Sequence, residues 1–277
     1  MSNSNEKTDV SEAQIASHWK EEEFIYPATG FVGQANMADP RVLDRFNPDN
    51  FPECYREYAD LLDWDQYWHT TLDSSNPPFF NWFVGGKLNA SYNCVDRHLK
   101  KNGNKVAFTW VSEIEEEPDR VISYRELWVM VNEFAALLKD FAGLKTGDRV
   151  TLHMPMVPEL PVTMLALARL GVTHSQVFGG FSGPACGDRI VDSESHILIT
   201  SDAYYRSGTL LDHKIKADEA VEQAKTGGVE VDKVLVWQRY PGKTSSPTPM
   251  VEGRDYFVND LIPNYRGQRV DPVSLPA

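Results

Sequence analysis

ELPVTMLALARLGVTHSQVFGGFSG, residues 159 to 183, holds the reading that decides the fold. It opens as a mostly apolar helix with Pro161 in its first turn, where a missing amide costs nothing. Gly171 is a natural helix stop. THSQVF then reads as a strand, and the chain turns through Gly179 and Gly180 into a second helix. Helix, strand and helix in one short stretch is the rhythm of βαβ units and a parallel sheet. A helix apolar on nearly every side also fits one sandwiched against a sheet.

The rhythm extends in both directions. Downstream, PACGDRIVDSES is helical, HILIT a strand, IKADEAVEQAKT a helix closed by Gly227-Gly228, and KVLVWQ a strand. Upstream, Gly147-Asp148 turns the chain into the strand RVTLHM. Before it, Ser123 and Glu126 form a capping box: the hydroxyl takes a free amide while the carboxylate reaches back. Leu127, Val131, Phe134, Leu138 and Phe141 follow at helical spacing. VAFTWVSE and RVIS read as strands on either side of the acidic EIEEEPDR, a loop expected to be a solvated face. The expected fold class is therefore α/β: a mostly parallel sheet flanked by helices, with a helical or irregular N-terminal extension. Residues 1–24 read as a flexible arm, 25–104 as the extension and 105–277 as an αβ subdomain. Within the extension, PECYREYADLLDWDQYWHTTL (52–72) is expected to be helical, NPPFFNWFVGG (76–86) extended, and NASYNCVDRHLKKNGN (89–104) helical up to Asn102-Gly103. From Tyr240 onward the chain reads as loop. There is no internal repeat.

Composition narrows the function classes. The chain has 277 residues, 42% of them hydrophobic and 24% charged, which suits a soluble globular protein. The net charge of −13 disfavours a phosphate-backbone binder, so nucleic acid is not an expected partner. The three cysteines, Cys54, Cys94 and Cys186, lack metal-ligand spacing and fit a reduced, cytoplasmic setting. No segment is long and apolar enough to span a bilayer, and the polar start is not a signal peptide. The sequon Asn89-Ala-Ser91 is expected to be a coincidence.

In an open parallel sheet, ligands bind beyond the carboxyl ends of the strands, where VFGGFSG lies. The motif is neither GxGxxG nor a GK[ST] loop, and spacing alone favours a tight strand-to-helix turn, with glycines supplying positive φ. Arg206 follows the next strand and could face the same crevice as an anion clamp, although an exposed Arg is commoner. Asp188 and Asp202 read as caps or ion-pair partners. His153 and His174 lie on strands and read as structural. No Ser/His/Asp arrangement is supported, so no catalytic residue and no metal ligand is assigned. The aromatics Phe79, Phe80, Trp82 and Phe83 read as packing.

Six runs together, LNASYNCVDRHL, ISYRELWVMVNEFAALL, GDRVTLHMPMVPEL, MLALARLGVTHSQVFGGFS, DRIVDSESHILITSD and YYRSG, resemble AMP-forming acetyl-coenzyme A synthetase, a member of the adenylate-forming superfamily. The resemblance runs in order from about residue 25 to 270. It implies acetate attacking the α-phosphorus of ATP to give acetyl-adenylate and pyrophosphate, followed by displacement of AMP by the thiol of coenzyme A. It also implies a coenzyme A nucleotide site at Phe178, Gly179, Gly180 and Arg206. Many members carry a second Arg where this chain has Thr209, so coenzyme A affinity is expected either to be lower or to rely on Lys214 or Lys216. The family's phosphate loop, of the type TSGTTGKPKG, is expected just beyond residue 277, with the acyl pocket and the C-terminal catalytic domain. ATP and magnesium are therefore expected for the parent enzyme with no contacts assignable here. The expectation is an N-terminal portion, inactive alone, whose partners are acetate, ATP, coenzyme A and the remaining portion, with no membrane. A coenzyme A- or partner-binding module, or part of a propionate-type synthetase, are the alternatives.

Overall fold

A computed structural model describes residues 26–35, 39, 41–244 and 246–277. The expected arm at 1–24 lies outside them. The chain divides into two compact units, residues 1–55 and 56–277. In the first, helical turns at Thr29–Gln34 and Arg41–Arg45 are followed by 3-10 turns at Pro48–Asn50 and Glu53–Tyr55. Asn47 caps the first of these 3-10 turns by accepting from the Asn50 amide, and Phe46 and Phe51 each meet Tyr55 edge-on.

The second unit opens with a helical turn, Arg56–Ala59, and three short strands, β1 (Thr70–Asn76), β2 (Phe79–Val84) and β3 (Lys87–Leu88). Helical turns at Ala90–Cys94, Asp96–His98 and Leu99–Asn102 lead to the pair β4 (Val106–Trp110) and β5 (Arg120–Ser123), helix α1 (Tyr124–Asp140), β6 (Arg149–Met154), α2 (Glu159–Leu170), β7 (Thr173–Phe178) and α3 (Gly183–Ser193). The rest is β8 (Ile197–Ser201), the hairpin β9 (Ala203–Arg206) and β10 (Thr209–Asp212), α4 (Lys214–Thr226), β11 (Lys233–Trp237), β12 (Asp255–Phe257), helical turns at Val258–Leu261 and Ile262–Tyr265, and β13 (Leu275–Pro276). The central sheet has the order β12-β11-β8-β6-β7, and every pairing in it is parallel. The expected α/β class is thus observed.

Side-chain alternation makes the sheet a partition between two cores. On β8, Ile197 and Ile199 join one core while Leu198 joins the other. On β11, Leu235 goes to the first core, and Val234 and Val236 to the second. Phe134, Leu137, Leu138, Leu160 and Leu167 bring α1 and α2 to the first face. Cys186, Ile190, Ala217, Ala220 and Ala224 bring α3 and α4 to the second. Small residues set the spacing of α3 and α4: a Cβ on Gly187 would lie 2.7 Å from the Ala220 carbonyl oxygen. Deep inside, the Cys186 thiol is pushed up to about 12, chiefly by burial.

The signals at helix ends hold. Ser123 accepts from the Glu126 amide at 3.3 Å and Glu126 accepts from the Ser123 amide at 2.8 Å, the capping box at the head of α1. Gly171 ends α2 at φ 71°.

Two expectations fail. The helix expected over 52–72 is reduced to one turn, Arg56–Ala59, and the chain is already in β1 by Thr70. Tertiary contacts override the helical spacing: Trp64 packs against Trp68 and Phe83, and Asn93 exchanges hydrogen bonds with the Asp63 backbone. The region after Tyr240 is not all loop, because Asp255–Phe257 forms the fifth strand of the central sheet. That strand is too short to show a period. Asn89, the expected coincidental sequon, is buried and donates to the carbonyls of Ala168 and Val273.

Candidate functional site

The sheet changes direction between β6 and β8: β7 lies on one side of β6, and the chain crosses back to place β8 on the other. Crevices form at the carboxyl ends of strands at such a switch. A cleft of about 300 Å³ opens there. Pro155 and Met156 follow β6, Phe178 ends β7 with Gly179 just after it, and Tyr204 and Arg206 follow β8. The four residues singled out in the sequence, Phe178, Gly179, Gly180 and Arg206, all line it.

Their geometry corrects the reason for the glycines. Neither Gly179 nor Gly180 has a positive φ. What they supply is room. A Cβ on Gly179 would stand 3.0 Å from the Pro155 nitrogen. One on Gly180 would meet the Phe178 ring at 2.5 Å and the Arg206 guanidinium at 2.7 Å. The guanidinium carbon lies 5.9 Å from the Phe178 ring centre, within cation–π range. Phe178 is 53% exposed, an apolar face open to a planar ligand. Arg206 is carried on the β9–β10 hairpin, whose turn needs Ser207 at φ 50° and Gly208 at φ 73°.

Lys214 does not share this site, which removes one of the two lysines considered as compensating cations. It is 1% exposed, and its Nζ pairs with Asp255 at 2.8 Å and Asp218 at 2.7 Å. Asp202 is neither a helix cap nor an ion-pair partner: it accepts from the amides of Ala203, Arg239 and Tyr240. Asp188 accepts from the Gln223 side chain. The acidic loop is not merely solvated. Glu117 pairs with Arg239 at 2.6 Å and accepts from the Tyr240 hydroxyl at 2.6 Å, and Glu113 accepts from the Gly208 amide at 3.0 Å. Both carboxylates line the cleft, with Trp110 and Tyr205. The sequence reading missed this wall because its residues come from three separate segments, none carrying a motif. Burial, then the hydrogen bond to Glu117, pushes the Tyr240 phenol up to about 12.

Beneath the glycine turn lie two buried histidines, His153 on β6 and His213 at the head of α4, with ring centres 4.4 Å apart. The structural role expected of His153 fits its burial. Burial first, then the charge of Lys216, holds His153 down to about 4. Burial, then His153 and Lys216, holds His213 down to about 3. Ser201 stands 3.2 Å from Nδ1 of His213. This pair is not a nucleophile and base, since Ser201 is wholly buried and Nε2 of His213 faces the Gly179 carbonyl. The histidines predict an acid sensitivity. Unfolded, each ring takes a proton near 6.5. Folded, they resist until about 4 and about 3. The unfolded state binds more protons in that window, so their stabilisation is full above pH 6.5 and is lost as pH falls. His153→Phe should flatten the decline in urea midpoint between pH 7 and 5 by about one proton's worth of slope. An unchanged slope would contradict this.

Among the described residues no cluster of three His, Cys, Asp or Glu side chains could hold a metal ion, and no helix is long and apolar enough to cross a membrane.

A doubly wound parallel sheet with an aromatic, glycine-lined and Arg-bearing cleft at its switch point agrees in class with what the sequence matches. The chain belongs to the AMP-binding enzyme family, whose match covers residues 95–261. Residues 46–94 match a narrower description, the acetyl-coenzyme A synthetase N-terminus. Similar proteins include acetyl-coenzyme A synthetases of Pyrobaculum aerophilum (44% identical over 220 residues, covering 77% of this chain and 32% of that protein) and Rubrobacter xylanophilus (40% over 237 residues, 85% and 35%). That of Methanothrix soehngenii is 36% identical over 270 residues, covering 97% of this chain and 37% of the relative. The chain thus spans about a third of the length of the curated relatives it matches.

Proposed function

We propose that this chain corresponds to the N-terminal, coenzyme A-facing part of an AMP-forming acetate–coenzyme A ligase, which joins acetate and coenzyme A at the expense of ATP through acetyl-adenylate. In this reading residues 25–104 are the synthetase extension and 105–277 an αβ subdomain. The protein works in the cytoplasm, with acetate, ATP, coenzyme A and magnesium as the ligase's substrates and cofactor. Phe178, Gly179, Gly180 and Arg206 form one wall of the site for the nucleotide end of coenzyme A, and no residue here is assigned to ATP or magnesium.

The observation that carries this reading is the placement of the Arg206 guanidinium against the Phe178 ring beside Gly180, where a Cβ would strike both. An adenine can lie on the exposed ring, and a phosphate can pair with the guanidinium over a backbone stripped of side chains. Titration calorimetry of the chain with coenzyme A tests it. Binding is expected in the millimolar range or tighter, and Arg206→Ala should weaken it about tenfold or more, as for loss of a charged hydrogen bond. No heat at millimolar coenzyme A, or an affinity indifferent to Arg206→Ala, would reject coenzyme A at this turn.

A further inference from the structure

The Gly179 carbonyl oxygen is met by two buried donors, the Tyr204 hydroxyl at 3.2 Å and Nε2 of His213 at 3.2 Å. A carbonyl can only accept, so the His213 proton belongs on Nε2. Nδ1 of the neutral ring is then an acceptor, and the hydroxyls of Thr200 at 3.3 Å and Ser201 at 3.2 Å are placed to donate to it. His213 is 0% exposed. It occupies the position preceding α4, where a side chain would ordinarily cap the helix, yet it makes no capping hydrogen bond. Its ring is turned to the glycine turn instead. His153 completes the support: it packs on His213 and lies close to the backbones of Phe178 and Phe181, with no aligned hydrogen bond to either ring nitrogen.

Burying polar rings is costly unless they satisfy something. An apolar side chain of similar size would fill the same space and leave the Gly179 carbonyl with Tyr204 alone. Two adjacent glycines have the least conformational restraint of any pair, so the turn needs an outside hold to keep the ring of Phe178 and the guanidinium of Arg206 in register.

We propose that His213, assisted by Tyr204, is a positioning residue of the cleft: it pins the Gly179 carbonyl and thereby fixes the glycine turn between Phe178 and Arg206. The identity of the ligand rests on the coenzyme A reading above; the hydrogen bond and its hold on the turn do not.

The test compares the wild-type chain with His213→Leu, His213→Gln and Tyr204→Phe. It reads calorimetric affinity for coenzyme A and, without ligand, the NMR resonances of the Gly179 and Gly180 amides and the tautomer of His213. The wild type should show the Nε2–H tautomer. His213→Leu should shift both glycine amides and weaken coenzyme A about tenfold, and His213→Gln, whose amide donates at similar reach, should recover most of both. Tyr204→Phe should shift the same amides by less. If His213→Leu binds like wild type with unmoved glycine resonances, or His213→Gln is as poor as His213→Leu, the ring is packing only and the proposal falls. If His213→Leu does not fold, an Nδ1–H tautomer in the wild type, or unmoved glycine amides in Tyr204→Phe, overturns it. A wild type that binds no coenzyme A removes the ligand assignment, and the glycine resonances still decide the positioning role.

Discussion

Replacing Arg239 by Met should lower stability by about 3–5 kcal/mol, the usual cost of breaking a buried ion pair from one side. The Arg239 side chain is 7% exposed and sits between two carboxylates, Glu117 at 2.6 Å and Glu159 at 2.7 Å. Its guanidinium also lies 4.9 Å from the Trp110 ring centre and 5.6 Å from that of Tyr240. Burial alone would lower its pKa, but Glu159, the Tyr240 hydrogen bond and Glu117 outweigh burial and hold it above the ordinary value. Without the guanidinium, Glu159 keeps Arg120, at 3.2 Å, and Glu117 keeps two neutral donors, the Tyr240 phenol at 2.6 Å and the Ser112 hydroxyl at 3.4 Å. The acidic loop then loses its charged anchor to the strand ends. Arg239→Lys should recover little, since one ammonium cannot fork between two carboxylates while lying flat on an indole. Urea unfolding of both variants decides the point, and a loss under about 1 kcal/mol, typical of surface pairs, would show that the network is not coupled to folding.

Asp202→Ala is expected to cost a similar amount by a different route. The carboxylate is 2% exposed and accepts from three backbone amides, Ala203 at 2.7 Å, Arg239 at 3.0 Å and Tyr240 at 2.8 Å. It joins the ends of β8 and β11, beside the cleft. Removing it leaves up to three buried donors unmet, each costing about 1–3 kcal/mol where water cannot replace the acceptor, so a total of about 3–5 kcal/mol is expected. Asp202→Asn should cost less, about 1–3 kcal/mol: its oxygen can keep the Ala203 and Arg239 amides, and its NH₂ group then faces the Tyr240 donor. Asparagine behaving like wild type in a urea titration would mean that water or a shifted backbone satisfies these amides.

Much of this architecture is legible in the sequence because the decisive signals are local. The capping box at Ser123, the stop at Gly171 and the apolar strands from Arg149 to Trp237 depend on neighbours a few residues away. The three-residue strand at Asp255 and the early strand at Thr70 are set by partners far along the chain, which no periodicity records. The candidate site divides in the same way. The glycine turn announces itself, and Arg206 can be placed by its position after a strand. Trp110, Glu117, Arg239 and Tyr240 gather only through folding, and a buried His213 reads in sequence like any other histidine. Lys214 shows the converse error: a lysine in the right neighbourhood whose charge is already consumed by Asp218 and Asp255.

The hairpin that carries Arg206 has one more consequence. Its two-residue turn sets Thr209 directly opposite Arg206 in the ladder, and both residues are exposed. Residues so paired point their side chains to the same side of the ribbon. A cation at 209 would therefore stand beside Arg206, and a neutral hydroxyl there leaves the guanidinium alone on that face. The number of positive charges offered to the cleft is set at one solvent-facing position, where it can be tuned up or down while the sheet, both cores and the glycine turn stay as they are.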